Sequence, residues 1–153
     1  MKKYSDLVDE ILAYIQELYP WDLEELIQQN DKFLLIDIRE PCEFSQAHIE
    51  HSINVPRGLL ESACDWGYDD TVPQLVKARE EHVVLICRSG NRSALAAFTL
   101  QQMGYAKVRS LKTGLKGWND SELKLIDLTG QPVDPDDAEE FFRNKPNQAQ
   151  LGP

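Results

Sequence analysis

The segment Cys87-Arg88-Ser89-Gly90-Asn91-Arg92-Ser93 holds the side chains best suited to covalent chemistry. A thiol becomes a strong nucleophile once it is ionised. Here it is followed at once by one arginine, and by another at the fifth position after it. Gly90 admits unusual dihedrals, and Ser89 and Asn91 tolerate tight turns. A loop of this composition can wrap so that successive main-chain N–H groups converge on one spot. A helix starting near Ser93 would add the partial positive charge of its amino end at the same place. A free cysteine titrates near about 8.5, and such surroundings can bring that to ~3.5–7.5 with no histidine taking the proton. Arg88 is placed to meet an incoming anion. Arg92 closes the loop and can brace it against a carboxylate, with Glu40 and Glu43 as the partners to consider. The plain alternative is an inert strand cysteine before a surface turn. Two arginines and a glycine so close to the thiol weigh against it.

The remaining chemistry-bearing residues are sparser. Cys42, Cys64 and Cys87 are an odd set with no CxxC, which argues against a disulfide framework and against a zinc site. His48, His51 and His82 form no HExxH pattern. No metal and no cofactor are called for. Cys42 or Cys64 could resolve an oxidised Cys87 only if the fold brings it close, and an ordinary side chain is the favoured reading for both.

The elements that must position the loop follow from apolar spacing. Val83-Val84-Leu85-Ile86 is a short run bounded by polar residues, apolar on both faces as buried parallel strands are. It leads straight into Cys87, and a helix is predicted from Ala94 to Met103, stopped by Gly104. Phe33 to Asp37 reads as a second buried strand, Ile53 to Val55 as a very short one ended by Pro56, and Lys107 to Leu111 as another. Helical spacing marks residues 5–18 as one amphipathic helix. Asp22 is expected to cap a second helix, with Glu25 completing a capping box. Glu43 to Ile49 is expected to make one or two helical turns. Further helices are expected after Pro73, over Thr113 to Trp118 and after Asp134-Pro135. Strands alternating with helices over short connections imply a parallel sheet covered on both sides. Ligands of such sheets bind at the carboxyl ends of the strands, where Cys87 lies.

The chain has 153 residues, 42% apolar and 27% charged, a size and composition suited to one folded domain. The net charge is −10, and it is unevenly spread. Residues 1–30 and 119–153 each carry −5, while 31–118 is neutral. Acidic flanks oppose nucleic acid and anionic membranes. No run of ~18 apolar residues predicts a membrane span. Met1-Lys2-Lys3 is followed by Ser5, Asp6, Asp9 and Glu10 rather than an unbroken apolar stretch, so it does not read as a secretion signal, and a cytoplasmic location is the default.

The loop resembles the active-site loop of rhodanese-type sulfurtransferases, whose pattern is Cys-x-x-Gly-x-Arg. Two further stretches agree. Leu35-Ile36-Asp37-Ile38-Arg39-Glu40, Glu43-Phe44, His48-Ile49 and Ile53-Asn54-Val55-Pro56 resemble the family's upstream motif. Gly114 to Trp118 is similar to its closing Gly-Gly-x-x-Gly-Trp, with Thr113 where the first glycine usually stands. The resemblance covers residues 20–120. It leaves residues 1–19 as an amphipathic helix, 121–143 as an extension with a short helix, and 144–153 as a disordered tail.

The resemblance implies a three-layer α/β/α domain with a five-stranded parallel sheet. It implies sulfur transfer through a Cys87 persulfide, with Arg88, Ser89, Gly90, Asn91, Arg92 and Ser93 as the substrate-binding loop. The partners implied are a small anionic sulfur donor such as thiosulfate and a thiophilic acceptor: cyanide, a thiol or a protein cysteine. Asp37 and Arg39 are expected as a structural ion pair rather than as catalysts. Phosphatases and arsenate reductases of this fold carry one more residue between cysteine and arginine, so this ring is sized for a sulfur atom rather than a phosphoryl group. A binding or regulatory module of the same fold and a protein-to-protein sulfur carrier are the alternative readings. Trp66 and Tyr68 either rim the pocket or simply pack their loop.

Overall fold

The computed structural model describes residues 1–29 and 32–153. At its centre is strand β4 (His82–Ile86), with Val83, Val84, Leu85 and Ile86 fully buried. Such a run forms a strand because each side chain has an apolar layer to enter on either face. Val83 and Leu85 join Ile36, Ile38, Leu60, Leu100 and Tyr105 on one side. Val84 and Ile86 join Leu23, Leu35, Leu115, Trp118 and Phe142 on the other.

Five strands pair in the order β1-β5-β4-β2-β3, all parallel: β1 (Gln16–Leu18), β2 (Phe33–Asp37), β3 (Ile53–Asn54), β4 and β5 (Val108–Leu111). The register sets Asp37 beside Ile86 and Leu85 beside Ser110, so Asp37, Cys87 and the end of β5 meet at one rim of the sheet. The helices are α1 (Tyr4–Ile11), α2 (Pro20–Gln28), α3 (Pro41–Gln46), α4 (Leu60–Ala63), α5 (Pro73–Val76), α6 (Asn91–Gln102), α7 (Gly114–Asp120) and α8 (Pro135–Phe142). Residues of α4, α5 and α6 build the first apolar layer, and those of α2, α7 and α8 the second. Ala94, Ala96 and Ala97 are fully buried, small enough to let α6 lie close on the sheet.

Several boundaries differ from the sequence expectation; the turns expected over Glu43 to Ile49 form instead at Pro41–Gln46, where Pro41 opens the helix and Ala47 is already extended. The helix expected over 5–18 ends at Ile11, passes through a 3-10 turn at Leu12–Tyr14, and gives way to strand β1. Pairing of Gln16 with Arg109 and of Leu18 with Leu111 covers the otherwise open edge of β5. That gain depends on a strand ninety residues away, so the local period cannot register it. Asp22 does not cap α2. Tyr19 holds that position, Pro20 opens the helix, and the Asp22 carboxylate accepts the Tyr19 N–H at 3.2 Å. Helix α6 starts three residues early, at Asn91, because left-handed Gly90 (φ +96°) serves as its N-cap. Within residues 144–153, expected as a tail without structure, Gln148–Gln150 makes one 3-10 turn.

No helix among the described residues is long and apolar enough to cross a membrane.

Candidate active site

Cys87 is the residue after β4 and is 1% exposed. Its Sγ accepts the Gly90 N–H at 3.1 Å and the Ser93 N–H at 3.3 Å. The Ser93 hydroxyl lies 3.3 Å from Sγ and 2.7 Å from the Ser110 hydroxyl. The thiol therefore sits over an apolar layer with its sulfur turned toward main-chain donors and a two-hydroxyl relay. Among the described residues, the N–H groups of Arg88, Ser89, Asn91 and Arg92 engage no protein acceptor. The loop thus keeps four amides free of protein acceptors while two others hold the sulfur, an arrangement suited to an anion.

The loop is held from behind. The Leu115 N–H donates to the Cys87 carbonyl and the Lys116 N–H to the Arg88 carbonyl, each at 2.9 Å. The first turn of α7 therefore engages the carbonyls of two successive residues, Cys87 and Arg88. Close approach makes this possible. A side chain on Gly114 would stand 2.5 Å from the Arg88 carbonyl carbon, and one on Gly90 would stand 3.1 Å from the Thr113 nitrogen. Thr113, where the resembling motif has glycine, is left-handed at φ +67°, a costly conformation for a β-branched residue.

Arg92 forms a two-point ion pair with Glu43 of α3, at 2.9 and 3.0 Å. Glu40, the other partner considered, instead gives its main-chain N–H to the Glu43 carboxylate at 3.0 Å. Burial alone would raise the Glu43 carboxyl, but the hydrogen bonds from Arg92 and from the Glu40 main chain outweigh it and lower its pKa. The Arg92 pKa is pushed up, chiefly by the same hydrogen bonds.

Asp37 and Arg39 lie deeper, 0% and 1% exposed. The guanidinium bonds both Asp37 oxygens and the Ala47 carbonyl, and its Cζ lies 5.8 Å from the Phe142 ring centre. Asn54 donates to the carbonyls of Asp37 and Arg39 at 3.0 and 2.9 Å. These contacts tie β2, β3, α3 and α8 together beside the loop. His48 stacks on Phe44 at 3.8 Å, and its Nδ1 lies 2.9 Å from the Phe44 carbonyl oxygen.

A pocket of about 390 Å³ opens over the loop, lined by Arg88, Ser89, Asn91 and Arg92. Its other walls escaped the sequence reading: Tyr4 of α1, Lys116 of α7, Phe142 of α8 and Asn144. Tyr4 has a raised pKa, first from burial and then from the Cys87 sulfur, with Arg92 and Arg88 opposing. A second cavity, about 250 Å³, lies on the other flank of the loop between α1 and Thr113. Trp66 and Tyr68 line neither. Ser110 also went unnoticed, although a serine inside an apolar strand was a signal in plain view. Cys42 is exposed, and Cys64 is buried, with burial pushing its thiol upward.

Comparison with known proteins agrees with this arrangement. Residues 20–121 match the rhodanese-like domain family. The chain belongs to that family. Its relatives include a sulfurtransferase of Allochromatium vinosum, 30% identical over 112 residues that make up 73% of this chain and 95% of that one. A mitochondrial Schizosaccharomyces pombe protein, provisionally named a thiosulfate sulfurtransferase, is 38% identical over 90 residues, 57% of this chain. The chain spans 63% of that relative's length. Among solved structures, a Rhodopseudomonas palustris protein of unknown function, suggested to be a tyrosine phosphatase, superposes with a TM-score of 0.73 at 29% identity, covering 80% of this chain and 92% of that one. The rhodanese-like sheet and its α/β layering are thus those of the family. Both the Allochromatium vinosum and the Schizosaccharomyces pombe relative carry the name of a sulfurtransferase.

Two measurements check the supports of the loop. The Glu43 carboxyl is lowered on folding, so its stabilisation is complete above the ordinary carboxylate pKa of about 4.3 and is lost as pH falls through the folded value. Glu43→Gln should therefore lower Tm at pH 7, with the deficit shrinking below about pH 4. A deficit independent of pH would mean that the ion pair is not its source. Thr113→Gly should raise stability by about 1 kcal/mol, the strain relieved less the added freedom of the unfolded chain, as read from the urea midpoint. A destabilised variant would show that Thr113 is not strained.

Proposed function

We propose that this protein transfers a sulfane sulfur from thiosulfate or a persulfide donor to a thiophilic acceptor, with Cys87 as the carrier. The observation that carries the reading is the Cys87 sulfur held by the Gly90 and Ser93 amides, in a loop whose four other amides engage no acceptor among the described residues.

In the first half-reaction the Cys87 thiolate attacks the outer sulfur of thiosulfate. A bond forms from Sγ to that sulfur, the sulfur–sulfur bond of the donor breaks, and its electron pair leaves with sulfite. The Cys87 persulfide carries its charge on the outer sulfur, where the unengaged amides can stabilise it. Arg88 meets the anionic head of the donor. Arg92, neutralised by Glu43, holds the loop in shape. In the second half-reaction an acceptor nucleophile attacks the outer sulfur and the electron pair of the breaking bond returns to Sγ. Donor and acceptor thus use the same pocket in turn.

The similarity to a suggested tyrosine phosphatase raises phosphate-ester hydrolysis as a second reading. The short ring from Cys87 to Arg92 opposes it, because a tetrahedral phosphoryl group needs a wider cradle.

Exposure to thiosulfate should add one sulfur atom to the intact mass. Cys87→Ser should abolish the addition, and Cys42→Ser and Cys64→Ser should keep it. Addition to the Cys87→Ser protein would refute the assignment. Under the same conditions p-nitrophenyl phosphate should not be hydrolysed, and turnover of that ester would move the reading to a phosphatase.

A further inference from the structure

The opposite rim of the sheet, at the amino ends of its strands, also carries a cavity. Phe33 opens β2, His82 opens β4, and the two are paired across the sheet. Arg109 is the second residue of β5 and pairs with Val84. Val84 and Leu111 enter the apolar layer built with α2, and side chains alternate along a strand, so Phe33, His82 and Arg109 share that face. Together with Leu26 of α2 and Lys32 they line a cavity of about 360 Å³. At about 3.3 Å per residue, the length of β4 sets His82 roughly 16 Å from Cys87.

We propose that this cavity binds a small phosphate monoester with an apolar organic body, Arg109 and Lys32 holding the phosphate while Leu26 and Phe33 flank the body. The site stands apart from the sulfur chemistry and does not rest on it.

Charge, burial and size support it. In a chain of net charge −10, the described residues lining this cavity hold two cations and an imidazole but no carboxylate. None of Lys32, His82 and Arg109 enters an ion pair among the described residues. An arginine stands where a strand covered on both faces calls for an apolar side chain, and its Nε is buried with no hydrogen-bond partner among the described residues. A buried donor without an acceptor lowers stability, and an oxyanion supplies the acceptor. A guanidinium can grip phosphate through two parallel N–H bonds. A phosphate monoester carries about −1.5 to −2 charges near pH 7, a better match for two cations than the single charge of a carboxylate. The volume suits a small molecule, and the partly buried Leu26 and Phe33 give it an apolar wall that bare phosphate would leave unused.

Titration calorimetry of the full chain with phenyl phosphate, inorganic phosphate and benzoate tests the assignment. One phenyl phosphate should bind per chain, more tightly than inorganic phosphate or benzoate. Arg109→Met should weaken its binding roughly tenfold or more, the weight of a hydrogen bond to a charged group. Lys32 is exposed, so Lys32→Gln leaves the fold intact, and it should weaken binding roughly two- to fivefold. Arg88→Gln, at the opposite rim, should leave the affinity unchanged, which separates this cavity from the pocket over the Cys87 loop. Absence of binding, a preference for benzoate, an affinity untouched by both Arg109→Met and Lys32→Gln, or an affinity lost in Arg88→Gln instead would each overturn the proposal. So would binding that appears only in Asp31→Asn, since the chain's own carboxylate would then be the occupant.

Discussion

A sulfur atom can be kept out of water as an anion only where donors replace the solvent it has lost. On the function proposed above, that requirement governs the rim of this sheet. Peptide N–H groups can supply the donors without bringing a full charge, provided that their carbonyls are turned elsewhere. Gly90 turns the chain in a left-handed step, and the Gly90 and Ser93 amides then face Sγ. The carbonyls of Cys87 and Arg88 are taken by the first turn of α7. Gly114 is the hinge of that arrangement, since no side chain fits between it and Arg88. The closing motif therefore belongs to the nucleophile's loop as much as the loop's own residues do.

Charge is organised in two shells around this point. Deep in the protein, Asp37 and Arg39 neutralise one another and gather four elements by hydrogen bonds. Removing one member of such a pair leaves a buried charge unmatched. Nearer the surface, Glu43 restrains Arg92 while Arg88 and Lys116 stay unpaired. A molecule that is acidic overall thus keeps a small cationic field at the loop where a sulfur anion would be handled. Field strength at a pocket follows the nearest charges, since those beyond about 10 Å are screened.

How far the sequence can be read depends on the range of the interactions involved. The central strand was legible because its apolar run needs no knowledge of its neighbours, and the loop because its glycine and flanking arginines are contiguous. Asp37 and Arg39 were legible as a pair from the family resemblance and from their place at a strand end. Glu43 could be put forward only as one of two carboxylates for Arg92, since choosing between them required the angle of α3. Strand β1 was hidden inside a helical period that continues past its true end. Tyr4, Lys116 and Phe142 carried no signal, because aromatic and lysine side chains at such positions are ordinary surface or packing residues until the fold faces them toward one pocket.

The sequence by itself determined the alternation of strands and helices, the family motifs and the place of Cys87 at the end of its strand. These rest on side-chain periodicity and turn chemistry, which act over a few neighbouring residues. Only the tertiary structure decided which carboxylate meets Arg92, which hydroxyls back the sulfur and which rings wall the pocket. Each of those depends on parallel crossovers that bring residues distant along the chain to within hydrogen-bond or van der Waals reach, and no local pattern encodes that distance.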